Sequence, residues 1–283
     1  MVRVASIDLG SNSTRLLIAD ISNGDLNTIY KEHQVTRMAD KLSESKIISK
    51  DASKRVLKAL TSYFKIINRK NVENIQIVGT AALRDAKNSH EITQLIEKRF
   101  GIEVDIVSGE EEGLLTSVGV LNSLGNIEDF LIIDIGGRST EFIYDHDKKI
   151  VSKSLNLGVV SISELFFSEL PPSEGSLFLA KEYIESILFE SNIFDERMLV
   201  GVAGTFTSLA SIFLEQNRFD EKEIHLTELK NEDVFKINQE LLTLNEPQII
   251  TKYKRLDPKR AKTIQAGILL AKEIISKYNV NSI

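Results

Sequence analysis

The chain has 283 residues, 42% of them hydrophobic, and a net charge of −6, which is ample for a sizeable core and more naturally two domains than one. It contains no cysteine, excluding a disulfide framework and a thiolate metal site, and its acidic balance argues against general nucleic-acid coating. No apolar stretch is long enough to span a bilayer, and Met1-Val2-Arg3-Val4-Ala5 enters a strand pattern at once, with no signal-peptide core; the expectation is a cytoplasmic protein without a membrane partner.

In chain order, residues 2–9 and 14–21 read as strands joined by a tight turn, and Asn23-Gly24-Asp25 turns the chain into a third strand over 26–35. Helical spacing holds from about 51 to 68, with Val56, Leu57, Leu60, Phe64 and Ile67 on one face. A short buried strand covers 75–78. Asn88 and Glu91 suggest a capping box for a helix ending before Gly101. Another strand covers 103–107, and Ser108-Gly109 opens a helix to about Leu124. The second half repeats the opening, with strands over 130–134, 141–144 and 150–155. Helices start near Val160 and Glu174, with Pro171-Pro172 between them. A strand over 199–202 feeds a small-residue helix start at Gly204-Thr205, and 261–277 is an amphipathic helix. Three strands followed by alternating helix and strand, twice over, predict α/β sheets with helical cover. The expected domains are 1–120 and 121–283.

The repeat carries the chemistry. Asp8-Leu9-Gly10-Ser11-Asn12-Ser13-Thr14 returns as Asp134-Ile135-Gly136-Gly137-Arg138-Ser139-Thr140, each copy between two apolar runs. Small turn residues let backbone amides approach an anion, hydroxyls add donors, and an Asp at the strand end suits a phosphate-bound Mg²⁺. The copies differ where Arg15 aligns with Glu141, a cation against a carboxylate. Glu110, Glu111 and Glu112 open a helix, where acidic residues commonly just complement the macrodipole, yet transfer of phosphoryl groups to water needs such a carboxylate. Arg84, just past a strand end, is either a surface residue or a fork for phosphate oxygens. Gly204 and Thr205 form a weaker phosphate-loop signal. His33, His90, His146 and His225 have no spacing suited to a metal or triad. Lys252, Lys254, Arg255, Lys259, Arg260 and Lys262 crowd one segment, either a solvated face or a landing strip for a polyanion.

The stretches IDLGSNSTRLLIAD, GTAALRDAKN, VSGEEEG, IDIGGRSTEF, LGVVSISELF and GVAGTFTSLA, in this order, resemble the exopolyphosphatase / guanosine pentaphosphate phosphatase family, and AKTIQAGILLA near the end also fits. The resemblance implies two actin-like (ribonuclease H-like) domains facing each other across an active-site cleft. It also implies Mg²⁺-dependent (or Mn²⁺-dependent) hydrolysis of the terminal phosphoanhydride of inorganic polyphosphate or guanosine pentaphosphate, with polyphosphate or guanosine penta- or tetraphosphate as the bound partner. Carried over residue by residue, Glu112 is the general base, Asp134 the metal-holding carboxylate and Glu141 a second catalytic carboxylate. Asn12, Ser13, Arg84 and the Gly136, Gly137, Arg138, Ser139 turn fall on phosphate-contacting positions.

Three departures bear on this. Arg138 stands where the family has a third glycine, and would be costly if the turn needed a positive φ. That possibility keeps open a catalytically weak polyphosphate-binding sensor, beside an ATP-using member of the same superfamily. Gly113 replaces an alanine, at an expected cost of about 1 kcal/mol at most. The chain is expected to lack the family's closing segment and extra C-terminal domain, which would limit processivity on long chains and suit a homodimer.

Overall fold

Leu9 of β1 (Val2–Leu9) faces Thr14 of β2 (Ser13–Ser22) across an antiparallel ladder, so Asp8 lies opposite Arg15. The chain is seen here as a computed structural model that describes residues 1–124, 129–147, 149–190, 198–216, 218–278 and 281–283. Asn23 and Gly24 both take positive φ (53° and 88°), as a two-residue type I′ turn requires, and return the chain as β3 (Asp25–Val35). A single turn, α1 (Leu42–Ser45), precedes the long helix α2 (Lys50–Arg69). β4 (Asn74–Gly79) then runs parallel to β1 with Gly79 beside Leu9; α3 (Ala81–Asp85), α4 (Ser89–Phe100) and β5 (Val104–Ile106) complete a sheet of order β3-β2-β1-β4-β5.

Ser49 caps α2 by accepting from the Ala52 amide at 3.2 Å, and Val56, Leu60, Tyr63 and Ile67 form its buried face. Tyr63, not Phe64, therefore enters the core, where its hydroxyl donates to the Thr14 carbonyl at 2.8 Å and pins the helix to the first hairpin. Phe64 instead stacks on Phe100 of α4, ring centroids 4.5 Å apart. The expected Asn88–Glu91 capping box does not form. Asn88 makes no side-chain cap; its Oδ1 accepts from the Ile48 amide (2.8 Å) and its Nδ2 donates to the Ile48 carbonyl (3.0 Å). A two-bond tie to a distant backbone outcompetes one local bond.

The second sheet repeats the plan. After α5 (Gly109–Leu124) come β6 (Phe130–Ile135), β7 (Thr140–His146) and β8 (Lys149–Leu155), then α6 (Val159–Phe166), α7 (Glu174–Glu190), β9 (Met198–Val202) and α8 (Ala203–Phe213). Strand order is β8-β7-β6-β9, matching β3-β2-β1-β4, with β9 parallel to β6 as β4 is to β1. β6 is buried on both faces, which fits its uninterrupted apolar run. Ile143 of β7 turns toward α5, and the next-door Phe142 turns the other way onto Tyr278, ring centroids 6.0 Å apart. Tyr278 closes α12 (Ile264–Tyr278), which is buried nearly all round. Between residues 218 and 264 lie α9 (Glu221–Ile224), α10 (Asn231–Leu241), α11 (Glu246–Lys252) and a 3₁₀ turn (Pro258–Arg260), and α12 begins three residues later than its periodicity suggested. α11 carries a true capping box, Asn245 with Gln248.

The chain divides into two compact units, Met1–Ser108 and Gly109–Ile283. The helix that the sequence placed mostly at the end of the first domain packs on the second sheet. Gly109, Gly113 and Ser117 are its buried stripe, and a Cβ on Gly113 would come within 2.8 Å of the Ser152 Cβ and 3.1 Å of Ile143.

Candidate functional site

The two hairpin turns are alike down to single hydrogen bonds. Gly10 donates its amide to the Ser13 carbonyl at 3.0 Å, and Gly136 to the Ser139 carbonyl at 2.9 Å. A Cβ would approach those carbonyls to 2.7 and 3.0 Å, so glycine is required by close approach, not by a left-handed φ. Each turn is braced by the chain leaving its third strand. The Asn12 carbonyl accepts from the Thr36 and Arg37 amides (3.1 and 2.9 Å); Gly136 and Gly137 carbonyls accept from Val159 and Val160 (3.1 and 2.7 Å). Gly158 makes the second brace possible, since its Cβ would meet the Arg138 amide nitrogen at 2.3 Å. Arg138 itself does not take a positive φ, nor does Asn12 in the first copy. The backbone objection to an arginine at this position therefore falls away.

The copies diverge one residue before the turn. Asp8 faces Arg15, and the two form an ion pair at 3.2 Å. Asp134 faces Glu141 instead, placing two carboxylates on adjacent strands. Glu112, on the first turn of α5, adds a third acid, and Thr116 one turn later donates to Asp134 Oδ2 at 3.3 Å. Glu141 is 1% exposed. Its carboxyl is pushed up from the ordinary 4.5 to about 8, chiefly by burial, then by the negative charges of Glu112 and Asp134. Hydrogen bonds from Ser139 and Ser154 act in the opposite direction, the latter at 2.8 Å to Oε1. Oε2 is buried without a hydrogen-bond partner among the described residues. An ion pair in one unit thus becomes, in the other, a like-charged cluster whose full ionisation a bound cation would favour.

The remaining predicted residues sit at strand ends in their own units. In the first, Asn12 and Ser13 occupy the β1–β2 turn, and Arg84 lies in α3 just past β4, the parallel neighbour of β1; its guanidinium donates to the Val107 carbonyl at 2.9 Å. In the second, Gly204 and Thr205 start α8 just past β9, whose Val202 pairs with Asp134. Ala203, opening that helix, holds φ at +66°, a strained value for a residue with a side chain. Arg260 clamps the loop: Nη1 donates to the Gly204 carbonyl (2.7 Å) and Ser208 Oγ (3.2 Å), and a Cβ on Gly204 would strike that nitrogen at 2.3 Å.

Arg260 therefore leaves the basic landing strip that the sequence suggested. Lys252 is paired with Glu240, and Arg255 donates to the Gln216 carbonyl at 3.0 Å while lying over the Tyr253 ring. At least three of the six cations are tied into the fold. Thr116, Ser154 and Gly158 received no individual role from the sequence, and Arg260 was placed only in the basic segment. Thr116 was accessible from helical spacing to Glu112, and Ser154 from the β7–β8 register, where it faces Glu141. Arg260 carries no local signal.

Among the described residues no three His, Asp or Glu side chains are gathered into a ready-made metal site. The donor set nonetheless fits a hard divalent cation: Asp134, Glu141 and Glu112 offer only oxygens, and the partnerless Glu141 Oε2 is the kind of atom such an ion would satisfy. No described helix is long and apolar enough to cross a membrane.

Two sheets of matching strand order, each with a braced anion-type turn, define a mixed α/β protein with the actin-like two-domain fold, its acidic cluster confined to the second unit. Residues 17–283 match the Ppx/GppA phosphatase family, and the chain belongs to it. Relatives include a bifunctional 3-dehydroquinate synthase/phosphatase of Fusobacterium nucleatum, 32% identical over 97% of this chain and 43% of its own length. Exopolyphosphatase 2 of Mycobacterium tuberculosis is 27% identical over 97% of this chain and 90% of its own. A guanosine-5′-triphosphate,3′-diphosphate pyrophosphatase of Vibrio cholerae is 33% identical over 80% of this chain and 46% of its own. The chain thus spans less than half of the Fusobacterium and Vibrio proteins. Among solved structures, the Aquifex aeolicus family member superposes with a TM-score of 0.83 at 29% identity, covering 100% of this chain and 92% of its own. An exopolyphosphatase from Cytophaga hutchinsonii gives 0.90 at 23%, covering 99% and 92%.

Proposed function

We propose that this chain hydrolyses the terminal phosphoanhydride of inorganic polyphosphate or of a guanosine 5′-triphosphate,3′-diphosphate, with a divalent cation, Mg²⁺ first and Mn²⁺ second. The observation that carries this is the replacement of Arg15 by Glu141 at one position of an otherwise repeated hairpin. It converts an ion pair into an acidic cluster beside a phosphate-type turn. The names of the Mycobacterium and Vibrio relatives support the reaction class.

In this reading Glu112 orients a water and accepts its proton as the water oxygen attacks the terminal phosphorus. The bridging P–O bond breaks, and its electron pair leaves on the shortened chain. Asp134 and Glu141 would hold the cation, which when bound neutralises charge on the phosphate oxygens. Glu141, kept oriented by Ser139 and Ser154, also helps place the water. The amides and Ser139 hydroxyl of the Gly136-Gly137-Arg138-Ser139 turn supply donors to phosphate oxygens, as do Gly204 and Thr205 at the α8 start. Asn12, Ser13 and Arg84, at the corresponding turn and strand end of the first unit, are proposed as phosphate contacts of that unit. The protein is taken to work in the cytoplasm, with a homodimer as its proposed assembly.

The test is phosphate release from polyphosphate, the guanosine compound and ATP in parallel, beside Glu112→Gln. Release from one of the first two that disappears in the variant, with ligand binding retained, is expected. Full activity in Glu112→Gln would overturn the assignment of the base.

A further inference from the structure

The sequence drew attention to one cluster of cations; the fold assembles another from residues that no run reveals. A cavity of about 430 Å³ lies between α2 and the end of α4, lined by Lys54, Leu57, Lys58, Thr61, Ser62, Lys65 and Arg99, with no acidic residue in its lining. The α2 residues follow the helical repeat, so their side chains rise along one face, spanning roughly 16 Å at 1.5 Å per residue. Lys54, Lys58, Lys65 and Arg99 are all exposed. Arg99 is brought there by the Phe64–Phe100 stack and lies over the Phe100 ring at 5.6 Å. Asp51 pairs with Lys54 at 3.3 Å, in a contact so exposed that water and salt largely screen it. The Thr61 hydroxyl donates to the Leu57 carbonyl, so the ammonium and guanidinium groups are the principal donors to an occupant.

We infer that this groove is a docking site for a linear inorganic polyphosphate chain, built from residues that the acidic cluster does not use. A row of point charges at helical pitch suits a flexible chain with a charge at every repeat. The lining holds no aromatic ring, so the stacking platform that single-stranded nucleic acid uses is missing. The choice of a phosphate chain as occupant rests on the phosphatase reading above; the cationic groove itself does not.

The experiment is equilibrium binding of polyphosphate some tens of phosphates long to the full-length chain in EDTA, where turnover is suppressed, over a range of salt. In Lys54→Gln/Lys58→Gln/Lys65→Gln, affinity should fall about tenfold or more at low salt, and the slope of log affinity on log salt by about two to three units. Arginine at the same three positions should restore both. Lys254→Gln/Lys262→Gln, exposed cations of the C-terminal segment, should change affinity less than about twofold, as screened surface charges do. Unchanged affinity and salt slope in the triple variant would overturn the proposal, as would an equal loss in the C-terminal pair. An oligonucleotide of matched charge displacing polyphosphate equally well would overturn the choice of occupant. Groove-dependent binding with no phosphate release in Mg²⁺ would uphold the groove and sink the hydrolase reading alone.

Discussion

Glu141 is the residue on which the site turns. Its folded-state value, about 8, lies above its ordinary 4.5, so the folded protein binds a proton more tightly than the unfolded chain does. The stabilising contribution of that proton is fully present below 4.5 and lost as pH rises through about 8. Without divalent cations, thermal unfolding should therefore occur at lower temperature at pH 8.5 than at pH 5.5. Glu141→Gln should flatten that part of the dependence, and an equally steep slope in the variant would assign the effect elsewhere. Ser154→Ala should move the Glu141 titration higher, because it removes a hydrogen bond that favours the charged form.

At the scale of an element, α5 reverses a propensity argument. Alanine is a better helix former than glycine by about 1 kcal/mol, so Gly113→Ala would be stabilising in an isolated helix. Here the new Cβ would fall 1.9 Å from Ser152 Oγ and 2.8 Å from its Cβ. The expected result is a loss of about 1–3 kcal/mol in urea unfolding, as overpacked cores show, recovered when Ser152→Gly is added. The same helix explains the unit boundary. Its small-residue stripe lets it lie close on β7 and β8, whereas Leu114, Leu115 and Val118 remain exposed. A pattern of small residues is nearly invisible to a reading based on apolar periodicity. Asn88 teaches a similar lesson. Asn88→Ala should destabilise by about 1–3 kcal/mol through the orphaned Ile48 groups, while Glu91→Ala, outside any cap, should stay within about 0.5 kcal/mol.

Across the whole molecule, a duplicated architecture carries an unduplicated charge pattern. A cation that binds the folded form stabilises it by about 2.7 kcal/mol at a hundred times its dissociation constant. Mg²⁺ or Mn²⁺ should accordingly raise the unfolding temperature by several degrees, an effect that Asp134→Asn removes. Asp8→Asn, at the matching position of the first hairpin, should leave it in place, because Asp8 already faces Arg15. Equal losses in the two variants would mean that the repeat is symmetric in function as well as in fold.

Much of this was legible in the chain itself. Strand alternation, the two Asp-led turns and the 126-residue offset between them come from local chemistry, in which each residue's role depends on neighbours a few positions away. The alignment of Arg15 with Glu141 survives as the cross-strand register, because turn length dictates which residues face each other. Only the tertiary structure decided that Arg138 needs no left-handed backbone, that Gly113 answers to Ser152, that Arg260 clamps Gly204, and that Lys54, Lys58, Lys65 and Arg99 share a groove. Those outcomes depend on contacts between segments far apart in the chain, where close packing, not propensity, sets what each side chain can do.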